Sequence, residues 1–220
     1  MAHYDEKFFD WQKKIGEFAA IVDIYKFKRY VRSSDNVIDF GCGGGFMLKA
    51  LPCSGKIGVE INNVARNFAY MNGIIAVKDS SEIKDGWADV IISDNALEHT
   101  LSPFAELRKL FSKLKSGGRI VFIVPHEKKM PWKPNDKNQH LYTWSPMNIG
   151  NLFLTAGFEI EEISNLPLWP PIGAKRIRKY FGFKVFFLIG KIYTALSGKW
   201  SQIRIVARKR RPIQNTNYQT

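Results

Sequence analysis

The sequence predicts an α/β domain built on a mostly parallel sheet, and three observations carry that reading. Short apolar runs at 37–40, 56–61, 74–77 and 88–93, with a fifth ending at 125, alternate with segments of helical periodicity. That order is what strand–helix–strand units produce. The first run ends in a cluster of glycines at 41, 43, 44 and 45, and a helical pattern opens directly behind it. A strand, a glycine turn and a helix N-terminus together make a binding place for an adenosine cofactor at the carboxyl edge of a sheet. Third, 220 residues at 45% hydrophobic content suffice for one such domain plus an elaboration.

Before the first strand, Phe8, Phe9, Trp11, Ile15, Phe18 and Ala19 recur at helical spacing, as do Ile21, Ile24, Tyr25 and Lys28. One or two N-terminal helices are expected there. After the glycine turn, 47–51 continues a helix that Pro52 and Gly55 end. The strand at 56–61 carries Glu60, twenty-one residues after Asp39. A carboxylate at a second strand tip can accept hydrogen bonds from ribose hydroxyls. Asn62 is placed to cap the following helix, 63–72. A short strand at 74–77 leads into a polar turn with Asp79, Ser80 and Ser81. Next comes the buried run 88–93, then Asp94-Asn95-Ala96-Leu97-Glu98-His99. The pattern at 103–114 is helical, and Gly117-Gly118 reads as a turn feeding the fifth strand.

The glycine spacing decides the cofactor. Gly-x-Gly-x-x-Gly counted from Gly41 fails, because Phe46 stands at the third glycine position. No Gly-Lys-Ser/Thr follows, which excludes a triphosphate loop. Gly41-x-Gly43-x-Gly45 with Asp39 two residues ahead resembles motif I of the class I S-adenosylmethionine-dependent methyltransferases. The Leu97-Glu98-His99 run after the fourth strand and the Gly-Gly turn before the fifth are similar to that family as well. The resemblance spans 37–125. It implies a seven-stranded, mostly parallel sheet with helices on both faces and an antiparallel last strand. It also implies S-adenosylmethionine as cofactor, with contacts from Asp39, Phe40, Gly41, Cys42, Gly43, Gly45, Glu60, Ile61, Asp79, Ser80, Asp94 and Asn95. Glu60 would hold the ribose and Asp79 the adenine amino group. The N-terminal helices would cover the cofactor. Asp94 departs from the small polar residue commoner at its place.

The loop at 126–143 holds His126, Trp132, His140 and Tyr142, with Trp144 just behind it. A loop this long, leaving a central strand, reads as a lid over the acceptor. Methyl transfer needs alignment, exclusion of water and, for a hydroxyl acceptor, a base. His140 is the first candidate, then His126 and His99. Ser145 and Pro146 start a helix to 156, and strand six follows from Gly157.

Net charge is +13, and its distribution is uneven. No Asp or Glu follows Glu162, while 166–211 contains twelve Lys and Arg. A basic helical piece at 174–180 runs into an apolar, aromatic stretch at 181–196. With Lys184 and Lys191 inside it, that stretch is too short and too charged to span a bilayer. It suits an anionic membrane surface, with Phe181, Phe186, Phe187, Ile189 and Ile192 as the inserting side chains. Residues 201–208 alternate as a last strand. The expected organisation is a helical cap at 1–36, a Rossmann-like domain at 37–166 and 200–209, a basic and aromatic helical insertion at 167–199, and a flexible tail at 210–220.

Cys42 and Cys53 are too few for a disulfide framework or a zinc site, so reduced thiols, a cytoplasmic location and no metal are expected. Residues 1–10 carry no secretory core. The expected activity is methylation, on oxygen, of a small, glycan or lipid-linked acceptor, with the chain peripheral at the inner membrane face. The rival readings are an RNA or DNA methyltransferase and a non-catalytic membrane-docking protein of the same fold. The nucleic-acid reading lacks an Asn/Asp-Pro-Pro-Tyr/Phe tetrad after strand four.

Overall fold

The computed structural model describes residues 16, 18–126, 134, 138–167, 173–198 and 202–210. The expectations for Phe8, Phe9, Trp11, Ile15, Trp132 and the tail from 211 lie outside the described residues. Seven strands form one sheet: β1 (Asn36–Phe40), β2 (Gly55–Val59), β3 (Ile75–Val77), β4 (Ala88–Asp94), β5 (Leu114–Pro125), β6 (Glu159–Leu166) and β7 (Gln202–Arg208). Their spatial order is β3-β2-β1-β4-β5-β7-β6. The pairs β1–β2, β2–β3, β1–β4 and β4–β5 are parallel, and β7 runs antiparallel between β5 and β6.

The strands alternate between two cores because side chains point to opposite faces at every second residue. Ile38, Ile91, Ile120, Phe122 and Ile205 face one core. There they meet α3 (Pro103–Lys113) through Leu107 and Leu110, and α4 (Pro146–Thr155) through Ile149 and Phe153. Val37, Val90, Ile92, Val121 and Val206 face the other. That side is covered by Phe27 and Val31 of the N-terminal segment, Leu48 of α1 (Phe46–Ala50) and Ala69 of α2 (Asn63–Met71). Helices therefore cover both faces, as the near-continuous apolar strands demand.

The N-terminal region is helical over 18–23 and continues in two 3-10 turns, Ile24–Lys26 and Lys28–Tyr30. The caps follow the sequence: Asn62 accepts from the backbone N–H of Val64 and Ala65, and Ser145 forms a capping box with Asn148. One expectation is corrected here. The Gly117-Gly118 pair is not a turn ahead of β5 but an irregularity inside it. Extended structure begins at Leu114, and the register with β4 jumps from Ala88↔Leu114 to Val90↔Arg119. Gly117 takes φ 77°, which lets the strand absorb the extra residues. The two pieces expected at 174–180 and 181–196 are both helical and meet at a break: α5 (Ala174–Ser197) consists of two helical segments joined at Gly182 (φ 74°, ψ 179°).

Helix α5 lies in the chain between β6 and β7, as expected, but its aromatic residues do different jobs. Phe186 is fully buried. Phe187 sits edge-on to Tyr25 with ring centroids 4.5 Å apart. These two, offered by the sequence as inserting side chains, instead pack within the protein. Phe181, Leu188, Ile192 and Leu196 remain exposed. No described helix is long and apolar enough to cross a membrane.

Candidate active site

Strand order reverses between β1 and β4, and ligands of open α/β sheets bind at such a switch point, outside the carboxyl ends of the strands. Ser93 ties the two strands there by donating its hydroxyl to the Phe40 carbonyl at 2.8 Å. A cavity of roughly 360 Å³ opens at this place, within the usual range of about 300–1,000 Å³ for small-molecule sites. Of the residues expected to contact a cofactor, Phe40, Gly41, Glu60, Ile61, Asp79, Ser80 and Asn95 line it. His99, Thr100, Leu101 and Ser102 line its other end. The expected residues Asp39, Cys42, Gly43, Gly45 and Asp94 do not line the cavity. They stand in the strand ends and glycine turn that frame it.

The turn needs glycine for two separate reasons. Gly41, with φ 78°, has no room for a Cβ, which would collide with the side chain of Ala96. Gly45, φ 76°, precedes α1 in a left-handed conformation. The turn then presents its backbone to Glu60: the N–H of Gly43 donates to one carboxylate oxygen at 2.9 Å, and that of Asn62 to the other at 2.8 Å. Burial nevertheless raises the Glu60 pKa above the usual carboxylate value, against those two donors. Asp39 has no such relief. Burial first, then the charges of Asp94 and Glu60, push it up to about 8.

Asp79 caps the turn Ser80–Glu82 by accepting from the Ser81 N–H at 2.8 Å, and its second oxygen meets Lys109 at 2.9 Å. Those two donors, in that order, hold it down at about 2, so this carboxylate is charged at the cavity wall.

Asp94, at the tip of β4, is held by a residue the sequence reading passes over. Lys26 is buried, and its ammonium lies 3.0 Å from Asp94 and 3.1 Å from Asp23. Burial works to lower its pKa, but the two aspartates outweigh it and hold it above the ordinary lysine value. The Asp23-x-x-Lys26 spacing was the available signal. The N-terminal segment thereby docks beside the cavity.

Next to the other end the fold gathers Glu98, His99 and His140, of which His99 lines the cavity and Glu98 and His140 do not. Glu98 is fully buried, and its Oε1 lies 4.0 Å from Nε2 of each histidine. The rings of His99 and His140 cross at 77° with centroids 4.9 Å apart. Two bonds pin the 138–145 segment to the turn after β4: Leu141 N–H donates to the Glu98 carbonyl at 2.9 Å, and the Tyr142 hydroxyl to the Leu101 carbonyl at 3.0 Å. The sequence names both histidines but not Glu98 as their common neighbour. His126 follows the end of β5 and is neither in this cluster nor on the cavity wall.

Known proteins are similar to this chain in sequence and in fold. The methyltransferase-domain family matches residues 10–163. A ubiquinone biosynthesis O-methyltransferase of Nitrosococcus oceani is 29% identical over 140 residues, covering 56% of this chain and 59% of the relative. The chain thus spans about three-fifths of the length of that relative. Among solved structures, the methyltransferase component of a Haloferax volcanii complex with the Trm112 activator superimposes with a TM-score of 0.68 at 15% identity, covering 94% of this chain and 99% of that one. A Haemonchus contortus phosphoethanolamine N-methyltransferase 2, solved with S-adenosyl-L-methionine, gives 0.60 at 14% identity, covering 93% and 60%. At such identities the structural likeness speaks for the fold, and the family match speaks for descent. The chain belongs to the methyltransferase-domain family, and its fold is that of the S-adenosylmethionine-dependent class I enzymes.

Proposed function

We propose that the protein transfers the methyl group of S-adenosylmethionine to a hydroxyl of a small, glycan or lipid-linked acceptor. The observation that supports this best is one cavity with two chemically different ends. Glu60, Ile61, Asp79 and Ser80 offer acceptors and a hydrophobic wall to an adenosine at one end, and His99 faces the other. In the reaction the acceptor oxygen forms a bond to the methyl carbon as the carbon–sulfur bond breaks and neutral sulfide leaves. The hydroxyl proton must go elsewhere, and the histidines are the bases we assign to it, His140 first, beside His99 on the cavity wall, with His126 as the more distant candidate. Asp39, Phe40, Gly41, Cys42, Gly43, Gly45, Asp94 and Asn95 form the frame for the cofactor's methionine end.

The oxygen preference rests on the relatives named as O-methyltransferases of ubiquinone biosynthesis. Helix α5 supports a lipid-linked acceptor: it exposes Phe181, Leu188, Ile192 and Leu196 among Arg176, Lys179, Lys184 and Lys191, with no acid along its length. Such a helix is attracted to anionic headgroups, each basic residue near the surface adding roughly 1 kcal/mol. Labelled-methyl transfer to lipid, glycan and RNA fractions tests the reading. Label in an alkali-stable ether of the lipid fraction is expected. A His140→Ala variant should turn over about a hundredfold more slowly with cofactor affinity unchanged. Label confined to RNA would transfer the chain to the nucleic-acid class.

A further inference from the structure

We propose that Lys26 and Gln202 are positioning residues for the amino-acid end of bound S-adenosylmethionine, acting through Asp94 and Asn95 at the tip of β4. Asn95 lines the cavity, as does Ala96 beside it. Asn95 stands in the left-handed region at φ 54°. That conformation costs an L-residue roughly 1–2 kcal/mol, and asparagine tolerates it better than most. A residue held this way persists only where its surroundings over-determine it. Here they do. The Asn95 N–H donates to the Ile123 carbonyl at 2.9 Å. Its Nδ2 donates to Asp94 Oδ1 at 2.8 Å, and its Oδ1 accepts from Gln202 Nε2 at 3.0 Å.

Neither brace is local. Lys26 comes from the N-terminal segment, 68 positions before Asp94, and Gln202 opens β7, 108 positions after it. The Lys26 side chain is 2% exposed, with its ammonium 3.0 Å from Asp94 Oδ2 and 3.1 Å from Asp23 Oδ1. Gln202 also donates to Asp94 Oδ1, at 3.3 Å. Both oxygens of Asp94 are thus occupied by groups of the protein. The carboxylate is a strut between Lys26 and Asn95, and it does not line the cavity.

The inference rests on the cofactor reading and deepens it. Glu60, Ile61, Asp79 and Ser80 take the adenosine in that reading. What joins the adenosine passes the tips of β1 and β4, where Gly41 and Ala96 stand so close that Gly41 has no room for a Cβ. The backbone at Asn95 and Ala96 sets the clearance there. Loss of either brace frees Asn95 from its left-handed conformation, moves Ala96 with it and changes that clearance. The adenosine end is held separately, by the bonds from the Gly43 and Asn62 N–H groups to Glu60. Alignment of the sulfonium with the acceptor depends on the amino-acid end, and a misplacement of about 1 Å can cost roughly a hundredfold in rate.

The test separates the two halves of the ligand. Calorimetry compares S-adenosylhomocysteine with 5′-methylthioadenosine, which keeps the adenosine and the sulfur and lacks the amino-acid end. The proteins are the wild type, Lys26→Met and Gln202→Leu, all as the full chain. Thermal melting checks folding. Gln202 is only half-buried, so Gln202→Leu carries the test if Lys26→Met, which strands two carboxylates, does not fold. S-adenosylhomocysteine should bind about tenfold more weakly to Gln202→Leu, and more weakly still to Lys26→Met, the scale of lost neutral and charged hydrogen bonds. Binding of 5′-methylthioadenosine should stay unchanged in both. Equal loss of both ligands would reduce the braces to structural parts, and undiminished S-adenosylhomocysteine binding would remove their role; either result overturns the inference while the wild type's binding upholds the cofactor reading. A wild type that binds neither ligand overturns the cofactor reading and the inference with it.

Discussion

The two ends of the cavity are built in opposite ways. The end proposed for the cofactor is lined by Gly41 and by Glu60 at the next strand tip, which the backbone of the turn Gly41 to Gly45 itself holds. The end proposed for the acceptor is lined by His99 to Ser102 and backed by a segment far away in the chain, joined by a backbone bond from Leu141 to Glu98. The first is a local solution, fixed by glycine conformations and strand order. The second exists only once the sheet has formed and the 138–145 segment has come to lie over the turn after β4. Substitutions at the first end should therefore strike binding of a shared cofactor, and at the second the choice and activation of an acceptor.

The largest effect is expected at the turn. Gly41→Val adds a side chain where Ala96 stands and forces a branched residue to φ 78°; the left-handed penalty alone is about 1–2 kcal/mol. Cofactor binding should disappear from calorimetry. If the variant folds and binds normally, the turn does not carry the cofactor.

A second contrast runs along α5. Phe186→Ser removes a fully buried ring and should cost about 3–5 kcal/mol of stability, read from chemical unfolding. Phe181→Ser, exposed just ahead of the break at Gly182, should change stability by no more than about 0.5 kcal/mol yet weaken binding to anionic vesicles. Equal vesicle binding by wild type and Phe181→Ser would show that the exposed apolar residues serve another purpose.

The smallest effect is a slope. Asp39 sits at about 8 in the folded protein, against about 3.9 in an unfolded chain. Between those values the folded state holds a proton that the unfolded state has lost. The contribution of this group to stability is fully present below about pH 4 and falls as pH rises through 8. Asp39→Asn removes that fall. Its melting temperature should exceed that of the wild type by more at pH 8.5 than at pH 5; a constant difference would mean that Asp39 ionises freely when folded.

What the sequence disclosed follows the same division. The mostly parallel sheet follows from apolar runs alternating with helical segments. The glycine spacing carries the resemblance that implies the antiparallel last strand and the lining residues Gly41, Glu60, Asp79 and Asn95. These follow from local signals. Lys26 does not, because its partner Asp94 lies 68 positions away and a lysine in a helical stretch ordinarily reads as solvated. Nor does Glu98 as the shared neighbour of two histidines, since periodicity says nothing about which loops meet. The burial of Phe186 beside the exposure of Phe181 escaped for another reason. Gly182 breaks the helix between them, so no single helical face extends across both.

Titration of S-adenosylmethionine into wild type and Glu60→Ala, by calorimetry on cofactor-free protein, tests the methyltransferase reading most directly. The cavity geometry predicts one site per chain with micromolar affinity in the wild type. Loss of the charged acceptor should weaken it by about 1–3 kcal/mol in the variant. Absence of binding in the wild type, or equal affinity in both proteins, would contradict the placement of the cofactor against Glu60 and the glycine turn.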